Sequence, residues 1–131
     1  MSSTGLGVRT RLIARALEAH AVVVVPGFLA SNGAGEIVSL GRGGSDLSAV
    51  VLAAALGADT CELVKDVPGY FTSDPASDVD ARHVPAIHVD DALALAASGC
   101  PIVQAAALEA ARGRGVRPII ATANADKPRT V

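Results

Sequence analysis

Three glycines within six residues, Gly41-Arg42-Gly43-Gly44-Ser45-Asp46, stand directly ahead of an apolar segment that runs from Leu47 to Leu56. Leu47, Val50, Val51, Ala54 and Ala55 repeat at helical spacing, Ser45 or Asp46 is the expected N-cap, and Gly57 is the expected C-terminal stop. A glycine-rich backbone that opens a helix lets amide N–H groups converge where the helix dipole favours an anion. Arg42 and Ser45 add side-chain donors, and a guanidinium can grip a carboxylate or phosphate through two parallel bonds. The ligand implied is a small anion; the plainer alternative is a tight strand-to-helix turn with a surface arginine. No Gly-Lys-Ser/Thr follows the turn, and its glycine spacing is not the dinucleotide-binding fingerprint.

The flanking segments set this turn in an α/β frame. Val8 to Ala19 places Val8, Leu12, Ile13, Ala16 and Leu17 on one helical face, with Arg9, Arg11, Arg15 and Glu18 on the other. Ala21 to Val25 reads as an interior parallel strand, Gly27 to Gly35 as loop, and Glu36 to Leu40 as a short strand leading into the turn. Cys61 to Val64 is a further apolar strand, so strand, turn, helix and strand follow in the order of a β-α-β unit. Lys65 to Val84, rich in Asp, Pro and Gly, predicts a long loop of the functional or mobile kind. Helices are expected over Asp90 to Ser98, capped by Asp90 and ended by Gly99, and over Val103 to Arg112, ended by Gly113. Arg117 to Ala121 supplies a last strand, and the chain from Asn124 onward reads as a ragged end.

At 131 residues the chain has room for one domain and one core. Half the residues are apolar but only 2% are aromatic, so that core must be built from closely packed Ala, Val, Leu and Ile. Eleven basic against 13 acidic residues, with no long run of either sign, argue against a nucleic-acid partner. Apolar stretches such as Ala49 to Leu56 are too short to span a bilayer, which takes about 18 residues, and Met1 to Gly7 lacks the pattern of a secretory signal, so the expected compartment is the cytoplasm. Cys61 and Cys100 lack metal or redox spacing and read as two buried, reduced thiols. Asp74, Asp78, Asp80, His83, His88, Asp90 and Asp91 show no recognised ligand spacing, so no metal site is expected. Arg112, Arg114 and Arg117 read as a solvated face near a helix end.

Leu40 to Asp46 resembles in full the Leu-Gly-Arg-Gly-Gly-Ser-Asp string that opens the amino-acid-site helix of aspartate kinases in the amino-acid-kinase family. The resemblance continues in register. Val24-Val25-Pro26-Gly27-Phe28 is similar to the family's strand and turn before its long loop, and Ala53 to Asp59 to its helix end. Asp66-Val67-Pro68-Gly69-Tyr70-Phe71-Thr72-Ser73-Asp74-Pro75 is similar to its Asp-Val-Asp-Gly-Val-Tyr-Thr-Ala-Asp-Pro nucleotide loop. The resemblance implies a three-layer α/β/α fold with a mostly parallel sheet, incomplete at its N-terminus, over residues 1–131 and without a regulatory domain. It also implies ATP- and magnesium-dependent phosphorylation of the aspartate side chain. Arg42, Gly43, Gly44 and Ser45 would hold an aspartate-like anion, and Lys65, Asp66, Gly69, Phe71 and Asp74 would face the nucleotide.

Several family positions differ. The family's Lys-Phe-Gly-Gly-Thr-Ser segment, whose lysine neutralises the phosphoryl group in flight, has no counterpart between Met1 and Val131, so no catalytic residue is assigned and the chain alone is expected to be inactive. Pro68 replaces an Asp, Phe71 a Tyr, Ala76 an Arg, Pro101 a Lys and Gln104 a His, although Ala107-Leu108-Glu109 is kept. The expected partner is a second copy or a separate N-terminal half that covers an open strand edge. The rival expectation is a catalytically silent binding or assembly module.

Overall fold

Burial separates the elements into two groups. In the computed structural model, which describes residues 7–123 and 126–131, the elements are α1 (Thr10–Ala19), β1 (Leu29–Ser31), β2 (Ile37–Ser39), α2 (Gly44–Leu56), β3 (Cys61–Lys65), α3 (Val89–Ala97), α4 (Ala105–Arg114) and β4 (Pro118–Thr122). One core joins α2, α3, α4, β3 and β4 through Val50, Val51, Leu63, Ala92, Leu108 and Ile120, with Val103 between α3 and α4. Alanine does the work expected of an aromatic-poor chain: Ala107 and Ala111 on α4 are almost fully buried, and small side chains let helices approach closely. Tyr70 is the one buried aromatic residue among those described.

β3 and β4 pair in parallel from Cys61 opposite Pro118 to Lys65 opposite Thr122. Along β3, Cys61 and Leu63 point inward while Glu62 and Val64 are exposed, the two-residue alternation of a sheet with one covered face. The connection between these strands runs through α3 and α4, as a parallel pair requires. A second sheet is the antiparallel hairpin β1–β2, with Leu29 opposite Ser39 and Ser31 opposite Ile37. Asn32 closes its turn, its side-chain oxygen accepting from the amides of Ala34 and Glu36.

The chain is thus α/β, but its described strands form two small sheets rather than one mostly parallel sheet. Ala21 to Val25 is not a strand: it pairs with nothing described, and Val22 and Val24 are 75% and 88% exposed. A parallel strand needs a neighbour for its amides, and none lies beside this one among the described residues. The expected loop from Gly27 contains β1, which takes β2 into a hairpin, so β2, α2 and β3 do not close a β-α-β unit in one sheet. α1 forms, yet none of its residues is fully buried.

Helix ends also differ. Gly43, left-handed at φ 75°, stands at the N-cap of α2, so the helix starts before Ser45 and Asp46 can cap it. Gly57 ends α2 as expected. His88, not Asp90, caps α3, its ring nitrogen accepting from the Asp90 amide at 3.3 Å. Gly113 lies inside α4, which stops at left-handed Gly115. Cys61 is buried as expected but Cys100 is exposed, lying just beyond the end of α3. The C-terminal end is not ragged where described: Thr130 is fully buried and exchanges backbone hydrogen bonds with Ile120 at 2.8 and 3.1 Å. The first six residues, with most of the expected signal-free segment, and Asn124 and Ala125 lie outside the described residues. No helix among the described residues is long and apolar enough to cross a membrane.

Candidate functional site

The glycine turn is shaped by what its glycines touch. A Cβ on Gly43 would overlap Cβ and Cγ of Gln104, at the start of α4. One on Gly44 would stand 2.7 Å from Leu40 Cβ and 3.1 Å from the Phe28 ring. Both positions therefore need glycine for space, and Gly43 needs it for backbone conformation as well. The turn closes with Gly44 N–H donating to Gly41 O at 3.0 Å, and α2 begins with Leu47 N–H on Gly43 O. Ser45 and Asp46 N–H find no acceptor among the described residues, which leaves two first-turn donors directed out of the helix. Arg42 and Ser45 are exposed beside them.

Phe28 and Ser48 support the turn from behind, roles that no local sequence pattern marks. Phe28 holds φ at 70°, a conformation that costs a non-glycine residue roughly 1–2 kcal/mol. Its amide donates to Ser48 Oγ at 2.9 Å, its carbonyl accepts from Leu40 N–H, and Ser48 Oγ donates to Gly44 O at 2.6 Å. Ser48 lies one helical turn beyond Gly44, so α2 itself fixes Phe28 against the glycines.

Lys65 ties this turn to the start of the long loop. At the end of β3 its Nζ lies 2.5 Å from Asp46 Oδ2, with both side chains mostly shielded from water. The Asp46 charge, after burial, helps push the Cys61 thiol pKa upward. Burial likewise raises the Tyr70 phenol, the neighbouring Val103 backbone opposing, and Cys100 and Asp46 adding to the rise. The Tyr70 hydroxyl lies by the Val103 backbone without reaching hydrogen-bond geometry, and it has no partner among the described residues.

The remaining loop residues occupy other surroundings. Asp66 is exposed; Gly69 is buried with φ at 140°; Phe71 is half-buried and sets its ring edge-on to His83 at 5.3 Å. Asp74 is exposed and turns its carboxylate back on the Ala76 amide at 2.8 Å, in an Asx turn. The structure thus joins Arg42, Gly43, Gly44 and Ser45 with Lys65, through Asp46, and places Gly69 and Phe71 in a separate cluster with His83 and Thr130. A cavity of about 430 Å³ between α3, α4 and β4 is lined by Ile87, Leu108, Val116 and Ile120 and by none of the nine residues singled out in the sequence.

Residues 4–122 match the sequence model of the amino acid kinase family. The chain belongs to that family. It is 42% identical over 111 residues to an aspartokinase of Bacillus sp. (strain MGA3), an alignment that takes in 85% of this chain and 27% of that relative. Among solved structures it is similar to E. coli aspartokinase III in complex with lysine and aspartate, with a TM-score of 0.78 and 30% identity, over 92% of this chain and 27% of the other. The same enzyme in complex with aspartate and ADP gives a TM-score of 0.76. The chain therefore spans about 27% of the length of the aspartokinases it matches.

An amino acid kinase uses ATP with magnesium, and the residues here fit that pair only in part. The loop is built and anchored. Yet Lys65 is committed to Asp46, positions 76 and 101 hold Ala and Pro, and among the described residues no three His, Cys, Asp or Glu side chains converge on a cation. The turn instead offers donors suited to a small anion: the two open amides, with the exposed Arg42 and Ser45 in the same stretch of chain.

Proposed function

We propose that this chain is an aspartokinase-type segment that holds the amino-acid substrate in ATP-dependent phosphorylation of the L-aspartate side-chain carboxylate, the first step toward lysine, threonine and methionine. The observation that carries the reading is the turn from Leu40 to Asp46, whose sequence resembles the family's and whose open Ser45 and Asp46 amides follow the exposed Arg42. Arg42 and the two amides would receive a carboxylate of aspartate, and Ser45 would donate to it. E. coli aspartokinase III, the structural relative, binds aspartate, which supports the assignment. Residues 66–74 would face the nucleotide, with Phe71 and the backbone near Gly69 contributing more than charge. Phosphoryl transfer needs a cation on the moving group, and Lys65 is already neutralised by Asp46. The chain alone is therefore expected to bind aspartate without phosphorylating it, and to transfer phosphate only when joined by the family's lysine-bearing segment.

Calorimetry with L-aspartate on the wild type and on Arg42→Ala tests the substrate half. A guanidinium–carboxylate contact is worth about 1.5–3 kcal/mol, so the variant should lose roughly tenfold to 150-fold in affinity with its fold intact. Unchanged affinity would remove Arg42 from the site. A hydroxamate assay with ATP and aspartate tests the catalytic half: turnover by the isolated chain would show that no further segment is needed. Absence of aspartate binding in the wild type would favour the silent-module reading, which the Ala76 and Pro101 positions support.

A further inference from the structure

Thr130 lies 60 residues from Tyr70, yet its hydroxyl sits at the neck of the long loop. Its Oγ1 donates to Val84 O at 2.6 Å and accepts from Tyr70 N–H at 3.0 Å. His83 Nε2 stands 3.1 Å away, and since the hydroxyl proton is already spent on Val84, the ring nitrogen facing it is the protonated one. Around this point the loop closes on itself, with Val84 N–H on Tyr70 O at 2.8 Å and Thr72 N–H on Arg82 O at 2.9 Å. A Cβ on Gly69 would strike Thr130 Oγ1, so the loop backbone fits directly around the hydroxyl.

The other half of Thr130 belongs to the core. Its backbone pairs with Ile120 in both directions, while Val131 exchanges bonds with Pro85 and Ile87 on the far side of the neck. Thr130 is also fully buried, so water cannot substitute for the hydroxyl. Beside the backbone ties from β3 and from Val131, the Thr130 hydroxyl bonds both sides of the loop neck at once. Its two ends, Tyr70 and Val84, are bound by the same oxygen.

From this geometry we infer that Thr130 is a positioning residue for the loop of residues 66–84, setting the placement of Gly69 and Phe71 without itself contacting a ligand. The functional consequence rests on the nucleotide reading of that loop; the structural one does not. Removing the hydroxyl leaves the buried Tyr70 N–H and the part-buried Val84 carbonyl without this partner and loosens the closure of the loop at its neck. A ligand held by Phe71 and the Gly69 backbone would then meet a loop that must first be ordered.

Amide hydrogen exchange on the full chain, compared between wild type, Thr130→Val and Thr130→Ser, decides it. Thr130→Val keeps the shape and loses the hydroxyl; Thr130→Ser keeps the hydroxyl. Thr72 and Val84 amides, whose own acceptors are untouched by either change, should exchange roughly tenfold faster or more in Thr130→Val and return toward wild type in Thr130→Ser, while α2 amides stay unchanged. Unchanged Thr72 and Val84 rates, or an equal acceleration in α2, would overturn the proposal, the second by showing general destabilisation. ADP binding to the same three proteins adds the functional arm: weaker binding in Thr130→Val, restored in Thr130→Ser, supports positioning. If the wild type does not bind ADP at millimolar concentration, the nucleotide reading falls while the exchange result still judges Thr130.

Discussion

Residues 7–43 and residues 44–131 are written in the same apolar vocabulary and fold differently. The first part contains Ala21 to Val25 and the amphipathic α1; the second contains β3 and the apolar α2. Val24 is 88% exposed, whereas Val50 is fully buried and Leu63 nearly so. What separates them is company. β3 has β4 along its full length and α2 across its face, so its alternate residues have somewhere to go. Ala21 to Val25 has neither a ladder partner nor a covering helix among the described residues. An apolar run states a preference for burial, and the neighbours decide whether it is met.

The contrast is most easily broken by a charge in each part. Val50→Asp places a carboxylate in a sealed core and should abolish cooperative unfolding altogether, since an unpaired buried charge costs more than a small domain's whole margin of stability. Val24→Asp should shift stability by no more than about 0.5 kcal/mol. Thermal melts by circular dichroism compare them. Equal damage from both would mean that the valine run is covered in solution.

A smaller effect tests the seam between the parts. Gly43→Ala combines a left-handed backbone with overlap on Gln104 and should destabilise by about 2 kcal/mol. Adding Gln104→Ala should recover the steric part and leave the conformational part, roughly 1 kcal/mol. Denaturant titration of the four proteins of this cycle measures the coupling. Strict additivity would show that Gln104 does not pack on the turn.

The smallest effect belongs to the loop. Ser73 Oγ donates to Asp78 at 2.6 Å and the Asp80 amide donates at 2.9 Å, and these bonds hold the Asp78 carboxyl below its ordinary pKa. A depressed folded-state pKa stabilises fully above the ordinary carboxylate range, and that contribution is lost as pH falls through the folded value. Ser73→Ala should move the Asp78 titration upward, as followed by carboxyl NMR. An unmoved titration would assign the depression to the Asp80 amide alone.

What was legible in the sequence is what is local. α2, β3 and β4 lie close to their expected places because periodicity and glycine stops act within a few residues. The caps of α2 and α3 were misplaced because side-chain preference points to Ser45, Asp46 and Asp90, whereas Gly43 turns earlier and His88 reaches the amide first. The composition of the anion turn could be read, but Gln104 beneath it could not: contact across 61 residues leaves no local pattern. Thr130 was hidden for the same reason, as a threonine in a polar tail looks like any other until its hydroxyl is seen at the loop neck.

The pairing of Ile120 with Thr130 has a further consequence for assembly. It is a bridge at one residue on the outer side of β4, so that flank of the parallel pair is interrupted at its centre, whereas no described strand lies against the other side of β3. A neighbour adding to an exposed strand needs an unbroken row of free amides and carbonyls, and a residue already bonded at the middle of that row shortens it. The buried threonine thus places its own backbone where a strand from another molecule would pair, which makes β4 a poorer template than β3.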